Sequence, residues 1–228
     1  MSSPPTPLLR TSGLHWRLLQ PQDLDAMEAL HHLSIAGLPP HTVKAEARTF
    51  LQSLLQGRGT VIGAWHHHTE LIAYGVLQHD LLPTDDPREH LQLPPQQTLA
   101  KLAGAAVAPQ WRGYGLQRAL ITQRIGHTNS TTVLFATAAP ENTVSWHNLL
   151  GCGFRVRALE YRYGGFARYL LVRLPSHAPP QTSDASPLEL HIDALAQQQT
   201  LLAQGWQGIA PGTLPGSLRL QPPTGNPG

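Results

Sequence analysis

Apolar positions along this chain alternate between two spacings. Short alternating or β-branched runs occupy Leu14 to Leu19, Thr60 to Trp65, Glu70 to His79, Thr98 to Val107, Thr131 to Thr137, Phe154 to Tyr163 and Ala167 to Leu174, the pattern of strands. Between them the interval lengthens to three or four. Asp23 to Ile35 carries Leu24, Met27, Leu30 and Leu33, Thr42 to Leu55 repeats helical spacing, and Leu116 to Ile125 sets Leu116/Leu120 and Ile121/Ile125 four apart. Gly37-Leu38-Pro39-Pro40 ends the first of these helices and Gly57-Arg58-Gly59 the second. His66-His67-His68-Thr69 and Gly164-Gly165 read as hairpin turns. Helices followed by antiparallel strands predict an α/β domain with a mixed, mostly antiparallel sheet flanked by helices.

Two stretches break this rhythm. Asp80 to Gln97, rich in Pro, Asp and Leu, predicts a loop over one face of the sheet, of a length that often covers a substrate site. After residue 175 the composition turns to Pro, Ser and Gln, so 8–175 is expected to be the main domain and 176–187 a linker. A helix is expected over 188–208, docking through Leu188, Ile192, Leu195 and Leu202. Nine of the twenty residues from 209 to 228 are Pro or Gly, which predicts a poorly ordered tail.

Composition narrows the function classes. A chain of 228 residues with 41% hydrophobic content can bury one substantial core. The net charge is only +2, from two lysines and fourteen arginines against fourteen acids, with no basic stripe of the kind nucleic-acid binding requires. The longest apolar run is too short to span a bilayer, and residues 1–13 lack the apolar centre of a secretory signal. Neither nucleic acid nor membrane is expected as a partner, and the expected setting is the cytoplasm, as a monomer or homodimer. Cys152 stands alone, which fits a reducing compartment. His66-His67-His68 with His31-His32 invites a metal reading. Consecutive residues cannot all face one ion, however, and no Cys or carboxylate lies at ligand spacing, so no metal is expected.

The chemistry-bearing segment is Val107-Ala108-Pro109-Gln110-Trp111-Arg112-Gly113-Tyr114-Gly115-Leu116. Here an apolar strand runs into a Gly-spaced turn that opens a helix. Glycines let the backbone approach a ligand closely, and the first amides of a helix point out of its mouth without internal partners, so the segment suits a pyrophosphate. Gln-x-x-Gly-x-Gly after Val-x-Pro resembles the acetyl-coenzyme A loop of the GNAT superfamily of N-acetyltransferases. Trp16-Arg17-Leu18-Leu19-Gln20-Pro21-Gln22-Asp23 is similar to that family's opening. Glu141-Asn142-Thr143-Val144-Ser145, leading to Gly153-Phe154, is similar to its later helix.

The resemblance implies a GNAT-like acyl-CoA N-acyltransferase fold and transfer of an acetyl group from acetyl-coenzyme A to a primary amine of a small molecule or protein. It implies that Ala105, Ala106 and Val107 pair with the pantetheine, and that the Val107 amide contacts the thioester carbonyl. Backbone groups of Gln110, Trp111, Arg112, Gly113, Tyr114, Gly115, Leu116 and Gln117 would hold the pyrophosphate, with Arg112 and Arg118 adding charge. Asn142 and Ser145 would face the pantetheine, although Asn142 is equally suited to capping its helix.

The chain also departs from the family. Leu149 stands seven residues after Asn142, where many members carry a Tyr that protonates the leaving thiolate, and Lys101-Leu102-Ala103-Gly104-Ala105 lacks the usual Glu. Substitutes are His79, Asp80, Tyr161 and Tyr163. Proton transfer typically contributes ~10²–10⁴-fold, so an enzyme can survive without the usual donor. The alternative reading is a weak or inactive acyl-coenzyme A binding protein that senses or regulates.

Overall fold

A computed structural model describes residues 13–39, 41–43, 45–175 and 186–223. By contact the chain divides into two units. The strand β4 (Leu99–Val107) runs from the second into the first.

The first unit comprises residues 13–38, 45–80 and 103–127. Strands β1 (Leu14–Leu18), β2 (Gly59–His66) and β3 (Glu70–Gln78) form an antiparallel meander, and β4 follows β3 in the sheet. Helices α1 (Leu24–Ile35), α2 (Arg48–Ser53) and α3 (Leu116–Gly126) belong to the same unit. Its core joins Met27, Leu30, Leu51 and Leu54 to Val61, Ile72, Tyr74 and Val76, and to Leu116 and Leu120.

The start of α1 rests on one ion pair. Asp23 is 7% exposed and takes Arg17 in a two-pronged bond at 2.7 and 2.8 Å, while its Oδ2 also accepts from the Gln20 amide at 2.8 Å. The Arg17 bond, supported by that amide, holds the carboxyl below its ordinary pKa despite burial. The helix expected over 42–55 is shorter: α2 covers six residues, and a wide turn at Leu54–Arg58 follows, in which Gly57 takes φ +112°.

The second unit holds residues 39, 41–43, 81–102, 128–175 and 186–223 within the described chain. Strand β5 (Val133–Ala138) runs parallel to the first part of β4, pairing Leu99 with Val133, Ala100 with Leu134 and Lys101 with Phe135. It is antiparallel to β7 (Phe166–Arg173), which pairs with β6 (Arg155–Arg162) through the Gly164-Gly165 turn. Helix α4 (Thr143–Gly151) follows β5 and brings Trp146 edge-on to Tyr169, with ring centroids 6.0 Å apart. The mixed, mostly antiparallel sheet flanked by helices agrees with the sequence expectation.

The C-terminal region corrects that expectation. The helix foreseen over 188–208 is confined to α5 (Leu195–Ala203). Strand β8 (Leu188–His191) precedes it, β9 (Gln207–Pro211) runs from the last two positions of the expected helix into the part foreseen as a tail, and β10 (Ser217–Gln221) lies within that part. Strand β9 joins β6 at Val156 and Gly208, so the sheet continues through β9 and β10 to β8. Two physical causes account for this. Leu218 and Leu220 are fully buried, each stabilising by about 1.5–3 kcal/mol. Among the described residues Pro211 ends β9, and Gly212, Pro215 and Gly216 lie in the connection to β10, where Gly216 turns with φ +72°. Of the expected linker, 176–185 lies outside the described residues, as do 8–12 and 224–228. No helix among the described residues is long and apolar enough to cross a membrane.

Candidate functional site

In the first unit the glycine turn has the geometry its sequence foretold. After β4, Ala108 donates to Ile72 O at 2.9 Å, and Trp111, 7% exposed, packs into the core beneath the turn. The chain then bends through Gly113 (φ +83°) and Gly115 (φ +75°) into α3. Both are left-handed conformations that a side chain disfavours. A Cβ placed on either glycine would meet no described atom within 4 Å, so the turn is bare on its outer side. The helix ladder begins with Ala119 N to Gly115 O at 3.0 Å, and the amides before it need acceptors from outside the helix.

Within β4 itself, Gly104 and Ala105 are exposed in mid-strand, whereas Ala106 is buried and Val107 half-buried. Around the turn, Arg112 donates from Nη2 to Ser34 O at 2.6 Å, beside the carbonyl end of α1, and Gln110 reaches Glu70 at 3.4 Å. Tyr114 stands edge-on to Trp111 at 6.2 Å. Leu116 is buried, Gln117 half-buried and Arg118 exposed.

His79 and Asp80 lie elsewhere in this unit. They follow the end of β3, seven residues from Ile72, a span of about 23 Å along an extended strand. His79 Nε2 is 3.2 Å from Thr60 Oγ1, and Asp80 is paired with Arg58 at 2.9 Å. The histidine run forms the β2–β3 turn, with His67 and His68 at positive φ. No group of three or more His, Cys, Asp or Glu among the described residues is placed to hold a metal ion.

In the second unit Asn142 caps α4: its Oδ1 accepts from the Ser145 amide at 3.3 Å and its carbonyl from the same amide at 3.0 Å. Ser145 is half-buried. Leu149, at the position of the family's Tyr, is 4% exposed and contributes to the core.

One face of β4, β5, β6 and β7 changes character along its length. At one end Leu99, Val133, Phe135, Ala158, Leu170 and Val172 pack against Leu81, Leu91 and Leu93 of the loop expected over 80–97. That loop is tied down by Arg88, which donates to Gln97 O at 2.9 and 3.2 Å. Strand alternation then puts Lys101, Thr137, Glu160, Arg162 and Arg168 at the other end. Lys101 Nζ is 2.9 Å from Asp85 and 3.3 Å from the Tyr163 hydroxyl, which is itself 3.4 Å from Thr137 Oγ1. Arg162 pairs with Asp85 at 3.3 Å and with Glu160 at 2.5 Å. Tyr163 takes φ +54° at the hairpin tip, a strained conformation for an aromatic residue. Arg168 is 4% exposed, and burial pushes its guanidinium below the usual pKa against the opposing fields of Tyr163 and Glu141. Tyr161, 56% exposed, takes no part in this group.

The structure thus gathers Tyr163 with Lys101, Thr137, Asp85 and Arg168, and leaves His79, Asp80 and Tyr161 outside. Sequence reasoning missed Lys101, Thr137 and Arg168 beside Tyr163, and Asp85 behind Lys101. The available signal was Lys101, one of only two lysines, set in the apolar run Leu99 to Ala103.

No protein-family model matches the chain, and no curated protein is significantly similar to it in sequence. In three dimensions it is similar to Arabidopsis thaliana NAA60 in complex with acetyl-CoA, with a TM-score of 0.56 at 19% identity over 71% of this chain and 99% of that one. The ribosomal-protein-S5-alanine acetyltransferase of Vibrio fischeri gives 0.57 at 12% identity over 74% and 97%. An acetyltransferase of the GNAT family from Streptococcus pneumoniae gives 0.54 at 13% identity over 71% and 99%. The fold is that of the GNAT acetyltransferases. Those proteins are covered almost whole, while more than a quarter of this chain has no counterpart in them.

Proposed function

We propose that this protein transfers an acetyl group from acetyl-coenzyme A to an amine. The observation that carries the reading is the turn at Gly113 and Gly115, bare on its outer side and opening directly into α3. A helix mouth of this kind attracts a diphosphate through its amides and its dipole. The likeness to NAA60, solved with acetyl-CoA, supports the same cofactor here.

Backbone groups from Gln110 to Gln117 hold the pyrophosphate. Arg112 contributes from a position fixed by its bond to Ser34, and Arg118 adds charge from the exposed side of α3. Ala105, Ala106 and Val107 receive the pantetheine as an added strand, a role supported by the exposure of Gly104 and Ala105 in mid-strand.

The transfer needs positioning more than covalent help. The neutral amine attacks the thioester carbonyl, and the oxyanion that forms is stabilised by the Val107 amide. The carbon–sulfur bond then breaks. The proton that the amine loses ends on the thiolate, so the step is balanced; among the candidate residues Tyr163 has its hydroxyl held between Lys101 and Thr137.

Gly115→Glu tests the cofactor site, since it sets a carboxylate where the diphosphate would lie. Acetyl-coenzyme A affinity measured by calorimetry is expected to fall at least a hundredfold while the circular dichroism spectrum is retained; unchanged affinity refutes the cradle. Thiol release from acetyl-coenzyme A across a panel of amines tests the transfer. Saturable binding with no release for any amine would replace catalysis by a sensing role.

A further inference from the structure

Among the described residues the side chains at the charged end of the second unit's sheet face, Lys101, Arg162 and Arg168 against Asp85 and Glu160, carry one more positive charge than negative. Asp85 serves both Lys101 and Arg162. Glu160 stands directly across from Arg168 in the β6–β7 register, yet it is turned to Arg162, with His90 Nδ1 3.8 Å from its other oxygen. Arg168 is left with one hydrogen bond, from Nη1 to Ala167 O at 2.8 Å, and with the rings of Tyr163 and Phe166 at 5.7 and 5.8 Å from its guanidinium. Among the described residues no carboxylate stands at ion-pairing distance from it, and exposed Glu141 acts only through its field.

A guanidinium so deeply buried without a counter-charge is costly, and its planar fork keeps donors to spare. It lies beside a strained tyrosine, the kind of backbone that collects at ligand sites. It also shares a face with Thr137, near the carboxyl end of a parallel strand, where open sheets of this kind bind their ligands.

We infer that Arg168 receives a carboxylate of the acceptor, so that the acceptor is a small amine carrying a carboxylate, an amino acid or a close analogue. The identification of this carboxylate as the acceptor's rests on the acyl-transfer reading above. A monoanion suits the site because Lys101 is already neutralised by Asp85, leaving one charge to match. The carboxylate enters past half-buried Tyr163 and Phe166, with the His41 ring 6.3 Å from Phe166 on the same side.

The test uses the full chain loaded with coenzyme A. Direct binding of a panel of L-amino acids is compared by calorimetry with that of their carboxamides, in wild type, Arg168→Met and Arg168→Lys. At least one acid is expected to bind tenfold or more tightly than its amide, because a site built around a charge-assisted fork rejects the analogue that lacks the charge. Arg168→Met should bring that ratio to within twofold, Arg168→Lys should retain part of it, and acetyl-coenzyme A affinity should stay within twofold. The melting temperature of Arg168→Met should hold or rise, since an unpaired buried charge is removed.

The inference is overturned if no acid is preferred, or if the preference survives in Arg168→Met. It is also overturned if that variant loses tenfold in acetyl-coenzyme A affinity, which would make a cofactor phosphate the anion held. Acid preference without thiol release for any amine would retire the acyl-transfer reading and leave the carboxylate site standing.

Discussion

The chain Tyr169–Gln198–His191 decides whether the C-terminal segment is part of the folded core. Tyr169 is fully buried, and its hydroxyl donates to Gln198 Oε1 at 2.6 Å; Gln198, also fully buried, donates from Nε2 to His191 O at 2.6 Å. Burial, opposed by the Gln198 bond, pushes the phenol above its ordinary pKa, so it acts as a neutral donor. Tyr169→Phe leaves one buried acceptor without a partner and should destabilise by about 1–3 kcal/mol. Gln198→Leu orphans the Tyr169 hydroxyl, while the His191 carbonyl keeps the Ala194 amide at 3.0 Å, and on the same scale it should destabilise by about 1–3 kcal/mol. In the double variant neither partner is left behind and the His191 carbonyl keeps the Ala194 amide, so the combined loss should fall short of the sum by about 1–3 kcal/mol. Urea unfolding of the full chain, with the four proteins compared at equal m-value, measures this coupling. On melting, each kcal/mol should appear as about 2–4 °C for a chain of this size. Additivity within 0.5 kcal/mol, or wild-type stability for Gln198→Leu, would show that α5 does not lock onto β7, and the reasoning would fail.

Two further predictions concern the first unit. His31 accepts the Glu46 amide on Nε2 at 2.9 Å and lies 3.1 Å from the Tyr74 hydroxyl through Nδ1, and burial holds its pKa below the ordinary value in spite of Glu46. The unfolded chain then binds a proton near pH 6.5 that the folded one refuses, so stability should decline as pH falls from about 7 toward 5. His31→Gln should flatten that part of the melting profile, and an unaltered slope would exclude His31 as its source. At Gly75 a Cβ would stand 2.9 Å from Arg124 Nε and 3.1 Å from its Cζ, while that side chain is bound to Leu120 O and Val76 O. Gly75→Ala should therefore lower stability by about 1–3 kcal/mol by denaturant titration, and a neutral result would mean that Arg124 moves aside without loss.

The glycine turn, the Arg17–Asp23 opening and the capped start of α4 were legible in the chain because each is a local device. A left-handed turn demands glycine wherever it occurs, and a side chain that caps a helix lies within a few residues of the amides it serves. Alternation likewise placed most strands within a residue or two, since burying one face of a sheet imposes its period on any sequence. The C-terminal segment escaped this kind of reading. Four- and five-residue strands rich in Pro and Gly carry little periodic signal, and only an edge of β6 for Val156 to share with Gly208 turns them into sheet.

The charged group was hidden for the same reason. Asp85, Lys101, Thr137, Tyr163 and Arg168 span 84 positions, and nothing local marks them as neighbours beyond the oddity of a lysine in an apolar run. The amino-acid sequence by itself determined the glycine turn and the order of elements as far as β7, which depend on backbone rules acting over a few residues. The tertiary structure alone set Tyr163 beside Lys101 and Thr137, and buried Arg168 with no carboxylate at ion-pairing distance among the described residues, because burial and charge balance are set by residues brought together from distant parts of the chain.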